Sequence, residues 1–523
     1  MNDINNKNVY KIPYFKRLVL LCLLFFKLGV VNFGGGYALL PLLSRELVEK
    51  KGWCTDQELA DYYAVGQCTP GAMAVNVSTF IGYKICGTLG GILATLSFVS
   101  PAFVIIFIIA TLLTNFSKNP FVVNALAGIN VVVFILVLSA IVKLTKKSIV
   151  DIWGIVIAVT IAFCAIFIKF IPLYAYIIAS ALLGLLINFI KERRFEAKYR
   201  VKEPELEVKE ETKEEKIEEE KVLEEPKKKS DTKKNVLFFI LGLFVGLLFG
   251  LIGCISLLFI KNKKYRNALI TTSFFWIIIA VCLIVSLVTN NWIFFSMYFN
   301  FFRIGACAFG GGLATLPFLH ELGNTTGWFN EAELTAMLAV SESTPGAMGI
   351  NMSTYVGYTV SNGAYNNYFL AFLGSIISTL GLVSPSIIVI LIVSLFLQKF
   401  SKNKFVAWIF YGLRAASIGL ICAAAYSVLK VSIFNVVDPN AESIIHYDIV
   451  SAFNATIDYF KANGGANFFS CIYKFIELLI NFKALAVGLI FAVFVFKFKK
   501  HPVVYIIAGA IIGILLQMGN VGL

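Results

Sequence analysis

The chain has 523 residues, 58% of them hydrophobic and only 15% charged, with a formal net charge of +14. Soluble proteins carry about 25% charged residues, so one large water-soluble core is excluded: too little polar surface is left to cover it. The excess cations sit in short clusters between apolar runs, which is the pattern of cytoplasmic loops and excludes a nucleic-acid surface.

Residues 1–16 form a basic cytoplasmic N-terminus. The apolar run that follows starts as a signal peptide would, but it has no small-residue cleavage site and leads into Phe33-Gly34-Gly35-Gly36. It reads as the first mature membrane helix. A hydrocarbon core needs about 20 apolar residues per spanning helix, and runs of that kind follow at 88–113 and 122–142. Together 17–190 make a first membrane repeat. The stretch 191–234, dense in Lys and Glu with Pro204 and Pro226, cannot bury apolar surface and reads as a charged cytoplasmic linker. Within 235–290 lie two extra hydrophobic segments, 236–260 and 267–289, separated by a basic cluster at 261–266. The remainder, 291–523, is a second membrane repeat with a polar loop at about 431–470. The ten cysteines are scattered in apolar segments without a Cys-x-x-Cys pair, so they read as packing residues. Three histidines without partner spacing give no metal site. No nucleophile–base–acid set or nucleotide loop appears, so neither an enzyme nor a cofactor is expected.

The two repeats match in order. FGGGYALLPLL at 33–43 answers FGGGLATLPFL at 309–319, and TPGAMAVNVSTFIGY at 69–83 answers TPGAMGINMSTYVGY at 344–358. Gly52-Trp53 answers Gly327-Trp328, Val99-Ser100-Pro101 answers Val383-Ser384-Pro385, and Tyr176-Ile177-Ile178-Ala179 answers Tyr505-Ile506-Ile507-Ala508. The fold class is therefore all-α and polytopic, with about six segments per repeat.

Charge placement reads the second repeat as inverted. In the first, six crossings from an inside N-terminus put Lys84, Lys143/Lys146/Lys147 and Lys191/Arg193/Arg194 inside, leaving Lys50, Lys51 and Lys118 as outside exceptions. In the second, Lys399/Lys402/Lys404 follow the third segment and Lys497/Lys499/Lys500 the fifth. Inversion needs an odd number of crossings between the repeats, so 267–289 should cross and 236–260 should dip in and return or lie in the interface. Both segments crossing, with parallel repeats, is the alternative.

Two segments of each repeat are poor simple helices, broken by three glycines in one and by Thr-Pro-Gly in the other. Gly costs a helix about 1 kcal/mol and Pro about 3, and backbone freed in a membrane must be buried in protein or line a wet cavity. Broken helices in repeat transporters point half-helix N-termini at anions. The candidate substrate-binding residues are accordingly Gly34, Gly35, Gly36, Thr69, Gly71, Asn76 and Ser78, with Gly310, Gly311, Gly312, Thr344, Gly346, Asn351 and Ser353. Packing of small and polar residues between helices is the alternative. Lys27 and Arg303 share one repeat position inside apolar runs and join the candidates as intramembrane cations, with snorkelling as the alternative. Glu342, aligned with Gln67, is a coupling candidate or a partner for Arg303 or Arg414. Thr55 to Glu58 and Asn330 to Glu333 read as capping boxes.

These residues resemble the chromate ion transporter family in its long, two-domain form. The family's elements are a Phe-Gly-Gly-Gly run followed by Pro, a Gly-Trp loop, and a Thr-Pro-Gly segment with downstream Asn and Gly-Tyr; all stand here twice. One departure is Ala72 and Ala347 where the family commonly has a second Pro. The resemblance implies a multi-pass protein of the cell (inner or plasma) membrane that exports chromate by alternating access, with oppositely oriented halves, a tetrahedral oxyanion (chromate or sulfate) and the lipid bilayer as partners, and a homodimer as a further expectation. A sulfate or other anion transporter, an anion channel, and a non-transporting membrane sensor or scaffold are the rival readings.

Overall fold

The structure, a computed structural model, describes residues 12–32, 43–116, 119–168, 171–200, 263–309, 311–394, 403–433, 476, 481–498 and 502–518. The glycine run 34–36, most of the linker, segment 236–260 and the loop at 431–470 beyond Ile433 lie outside these residues. Every regular element described is helical, and five helices are long and apolar enough to cross a membrane.

The first repeat contains α1 (Tyr14–Val31), a π-helical turn (Ser44–Glu49), α2 (Asp56–Cys68), α3 (Met73–Phe116), α4 (Pro120–Ser148), α5 (Ile152–Phe167) and α6 (Leu173–Arg200). Helix α7 (Lys263–Val288) leads to the second repeat: α8 (Ile293–Cys307), a 3-10 turn (Gly312–Thr315), α9 (Leu316–Thr326), α10 (Glu331–Ser343), α11 (Met348–Tyr365), α12 (Tyr368–Ser394), α13 (Lys404–Ile433), α14 (Phe482–Phe498) and α15 (Pro502–Leu515). Helix α6 extends to Arg200, ten residues into the stretch expected to be linker.

Both capping boxes form. Thr55 Oγ1 accepts from the Glu58 N–H at 3.2 Å while the Glu58 carboxylate accepts from the Thr55 N–H at 2.9 Å. Asn330 and Glu333 repeat the exchange at 2.8 Å each way. Such a cap stabilises a helix start by about 1 kcal/mol. Between Leu43 and Gly52 the first repeat has one residue more than between Leu319 and Gly327. The wider ring of the π turn at Ser44–Glu49 takes up that residue, where α9 stays a regular α-helix.

Helix α3 doubles back at Gly87, whose φ of 71° is left-handed. Its arms 73–86 and 88–116 run antiparallel, with the Thr79 and Thr95 hydroxyls 2.6 Å apart. In the second repeat α11 and α12 meet the same way around Asn366, with Thr354 and Thr379 2.8 Å apart.

Side-chain contacts fix the path through the bundle. Tyr14 donates to Cys86 O at 3.1 Å and Lys84 donates to Trp53 O at 3.2 Å, so the start of α1, the start of α2 and the Gly87 turn share one end. Gly29, near the end of α1, lies against Phe98 and Pro101, halfway along the long arm of α3. The first two segments therefore enter from one end, reach mid-height and return as hairpins. This corrects the six-crossing count, and it removes two exceptions: Lys50 and Lys51 stand at the same end as Lys84. In the second repeat the hairpins enter from the other end, where Phe294 stacks on Tyr365 at 5.6 Å.

Inversion is visible in the pairing of equivalent helices. Ser432 Oγ donates to Asn130 O at 3.0 Å, and Ile421 clusters with Ile141, so α4 and α13 run antiparallel. The long arm of α3 and α12 do likewise: Gly91 meets Leu391, and Phe107 meets Phe372 edge-on at 5.4 Å. A helix antiparallel to its own repeat copy is what an inverted repeat produces. Lys51, Lys84, Lys143, Lys191, Lys404 and Lys497 then gather at one end, the basic end, which the positive-inside rule associates with a cytoplasmic face.

The repeats are also interleaved. Helix α15 packs on α4, while α5 and α6 pack on α13, so each repeat's last helices dock on the fourth segment of the other. Gly128 lies against Gly509 and Gly513, and Gly412 against Ser180 and Gly184, so close that a Cβ would strike backbone. At the basic end Asp151, the N-cap of α5, receives Lys191 and the Tyr411 hydroxyl, and Glu192 receives Lys404 at 2.9 Å. Burial works to raise the Asp151 pKa, but the hydrogen bonds from Lys191, Tyr411 and the Gly154 N–H hold it below its ordinary value. In space the molecule is two bodies: α1–α3 with α8–α12, and α4–α6 with α13–α15.

Overpacking a close helix contact costs about 1–3 kcal/mol or more. Gly128→Leu or Gly412→Leu is expected to lower the thermal unfolding midpoint in detergent and broaden the size-exclusion peak, whereas Gly363→Leu, where a Cβ meets open space, leaves both unchanged.

Candidate functional site

The two Thr-Pro-Gly breaks sit at mid-height and are built alike. Helix α2 ends at Cys68 and α3 begins at Met73; α10 ends at Ser343 and α11 begins at Met348. The turn between them needs left-handed glycine, with φ of 93° at Gly71 and 117° at Gly346. Asn76 Nδ2 holds the first turn together, donating to Gly66 O at 3.1 Å, Thr69 Oγ1 at 3.0 Å and Pro70 O at 3.0 Å. Asn351 Nδ2 does the same to Ser341 O, Thr344 Oγ1 and Pro345 O at 3.0–3.3 Å. Both asparagines are fully buried.

Each break is completed by the other repeat. The Gly71 N–H donates to Ala308 O, the cap of α8, at 2.8 Å, and the Gly346 N–H donates to Asn32 O, the cap of α1, at 2.9 Å. Gly71 rests against Ser386 in the middle of α12, and Gly346 against Ala102 in the middle of the long arm of α3. Ser386 Oγ donates to Pro70 O at 3.2 Å, a bond Ala102 cannot make in return.

The remaining candidates divide. Thr69 and Thr344 donate back to Val65 O and Val340 O, Ser78 to Ala74 O, and Ser353 to Ile350 O, all between 2.7 and 3.1 Å. Their donors are directed at the protein's own carbonyl groups. Gly34, Gly35, Gly36 and Gly310 lie outside the described residues. Gly311 has φ 112°, and Gly312 lies against Met348, so the second glycine run is brought onto the start of α11. Lys27 and Arg303 are not brought to the breaks: both stand on exposed helix faces, Lys27 3.6 Å from Glu46 and Arg303 over the Tyr174 ring at 6.0 Å. Glu342, half-buried at the end of α10, lies within reach of the charge of Lys143 on α4. The side chain of Gln67 lies outside the described residues.

Asn32 is a site residue that the repeat comparison missed, because its counterpart is Ala308. It is fully buried, and neither atom of its side-chain amide has a hydrogen-bond partner among the described residues. A polar residue between Val31 and Phe33 at the edge of the glycine run was the available signal. Among the described residues no three His, Cys, Asp or Glu side chains are grouped to hold a metal ion.

A family profile described as Chromate transporter matches residues 19–185 and 295–514, well over half of the chain. This chain belongs to the chromate transporter family. The two matched regions are the two repeats. An uncharacterized transporter of Methanocaldococcus jannaschii is 24% identical over 400 residues, covering 76% of this chain and 81% of that protein. A probable chromate transport protein of Synechococcus elongatus is 23% identical over 401 residues with the same coverage. The chromate transport protein of Cupriavidus metallidurans is 30% identical over 129 residues, covering 25% of this chain and 32% of that protein. No solved structure matches. The chain is thus a multi-pass membrane protein of a transporter family, and the broken helices lie inside both matched regions.

A buried carbonyl left without its donor costs about 1–3 kcal/mol. Asn76→Ala or Asn351→Ala orphans more than one, so each is expected to cut the yield of folded protein and lower its unfolding midpoint by several degrees, read by a thermal shift in detergent. Ser78→Ala, which removes only a bond within its own helix, is expected to be near neutral.

Proposed function

We propose that the protein is a secondary transporter of a tetrahedral oxyanion, chromate first, that works by alternating access in the cell membrane. The observation that carries this reading is the pair of cross-repeat backbone bonds at Gly71 and Gly346. They bring two glycine turns, two helix starts and the cap of the opposite repeat's first helix to mid-height, where a broken helix can present N–H groups to an anion.

The anion rests on backbone. Gly34 to Gly36, Gly310 to Gly312, Gly71 and Gly346 let it approach closely, while Thr69, Asn76, Thr344 and Asn351 hold the turns in shape, and Ser78 and Ser353 lie early in the helix that follows each break. Lys27 and Arg303 raise the local potential from a distance. Glu342 is the group through which a proton could be coupled, in one repeat only. Moving one charge through 100 mV is worth about 2.3 kcal/mol, so export of a dianion from a negative-inside cell gains about 4.6 kcal/mol per 100 mV and needs no coupling ion. Sulfate has the same charge and shape and is the competitor to test.

In the experiment, purified protein in liposomes is heated with chromate, sulfate, molybdate, phosphate or chloride. A ligand at a hundredfold excess over its Kd stabilises the folded state by about 2.7 kcal/mol. Chromate and at least one other tetrahedral dianion are expected to protect, and preloaded chromate is expected to accelerate uptake of labelled chromate by counterflow. Protection by none of the oxyanions contradicts the substrate; flux without saturation or counterflow points to a channel. With Lys27→Ala and Arg303→Ala combined, protection is expected to persist with less than a tenfold change in Kd. Complete loss would return the site to the two cations.

A further inference from the structure

The two repeats are alike in sequence but not in pose, and the difference locates the gates. In the second repeat, α9 and α10 are docked onto the other body: α10 packs on α4, α13 and α15, and α9 packs on α13. In the first, the described part of α2 packs mainly on its own α3 and on the π turn before it. Exposure of equivalent residues follows. Thr335 on α10 is 1% exposed, whereas its counterpart Ala60 on α2 is exposed. Ser427 on α13 is buried, whereas its counterpart Lys143 on α4 is exposed. Among the described residues, the end away from the basic clusters is closed in this structure, and the basic end is open.

A polar cluster holds the closed end. His320 on α9 lies 2.9 Å from Glu331 at the start of α10 and 2.8 Å from Ser427 on α13, with Asn324 on its other ring nitrogen at 3.2 Å. Leu316, Leu334 and Ala424 line the small gap beside it. The residues that occupy the same repeat positions at the basic end are Asp56 for Glu331 and Lys143 for Ser427, while His320 falls at Ser44–Arg45, in the stretch where the first repeat carries its extra residue. With Arg45, these are two cations around a carboxylate. In this structure they are apart from one another: Asp56 accepts from Ser44 at 2.9 Å, and Arg45 lies 3.6 Å from Glu46.

Inverted repeats reach their second state by exchanging poses. Resting on the alternating-access reading above, we infer that Asp56 and Lys143, flanked by Arg45, form the gate at the basic end, and that it closes when the His320–Glu331–Ser427 cluster opens. The closed basic end is an ion-paired contact, the closed far end a neutral-to-acidic one centred on histidine. Lys143, whose charge now reaches Glu342, moves to Asp56 as the gate shuts, so the carboxylate beside the second break loses that cation's influence in the state that opens to the far end.

The test is disulfide or short-linker trapping in otherwise native-length protein whose ten native cysteines are replaced, reconstituted in liposomes. Glu331→Cys with Ser427→Cys is expected to cross-link readily and to arrest transport until reductant is added. Asp56→Cys with Lys143→Cys is expected to cross-link too, more slowly. In a triple variant that adds Ser427→Cys to that pair, trapping is expected to make the far-end thiol react at least tenfold faster with a thiol reagent applied from the far side. Failure of the Asp56/Lys143 pair to cross-link, or trapping that leaves the far-end thiol as slow as before, overturns the proposal. These readouts need no transported substrate, so they stand or fall separately from the chromate assignment. In the native-cysteine protein, Asp56→Lys and Lys143→Asp are each expected to lower the transport rate more than tenfold, and the double exchange to recover it to within about threefold at equal protein amount. Single variants that transport at the normal rate contradict the gate.

Discussion

A chain that interrupts a helix inside a hydrocarbon layer must find partners for the backbone it frees, and here each repeat finds them in the other. Gly71 donates to the cap of α8, and Gly346 to the cap of α1. Everything else at mid-height is arranged around that exchange. The left-handed glycines make the turn, the asparagines fill it, and small residues on the long helices, Ala102 and Ser386, leave room for it. A side chain larger than a hydroxymethyl at either place would separate the two turns from the helices that bury them.

The exchange also explains why sequence halves and spatial halves differ. Each repeat divides after its hairpin helices. The broken parts of both repeats form one body, and the three later helices of both form another, locked by the Gly128–Gly513 and Gly184–Gly412 contacts and by the Asp151–Lys191–Tyr411 cluster. On the proposed alternating-access reading, two bodies each assembled from inverted halves give a molecule with two arrangements. In the structure α9 and α10 are seated on the other body and α2 is not.

Much of this was legible in the sequence because its signals are local. The repeat, the two breaks and both capping boxes are patterns of residue identity at fixed spacing, and charge runs such as Lys402 and Lys404 against Lys146 already implied inversion. The hairpins were not legible, since an apolar half-helix has the same hydropathy as a crossing one; only the contact of Lys84 with Trp53 shows that the chain has come back. The direction of a side chain was equally hidden. Lys27 and Arg303 share a repeat position and lie in apolar runs, yet 3.6-residue periodicity puts them on the exposed face, one turn from exposed Leu23 and Val30 in the first case and from exposed Phe299 in the second. Thr69, Asn76, Ser78 and their copies were found by identity, but whether their donors face a ligand or the chain's own carbonyls depends on the turn they build. Asn32 and the His320–Glu331–Ser427 cluster escaped because each joins elements far apart in sequence.

If two inverted repeats each send broken hairpins to mid-height from opposite ends, the sidedness of single cysteines in intact cells reports it. Lys51→Cys, in the first hairpin, and Thr326→Cys, its counterpart in the second, are labelled with a membrane-impermeant thiol reagent, with a reporter fused after Leu523 as the independent reference. The Thr326→Cys thiol is expected to react from outside, the Lys51→Cys thiol only after permeabilisation, and the fused reporter to lie outside. Labelling of both thiols from the same side, or a cytoplasmic reporter, would contradict the inverted arrangement.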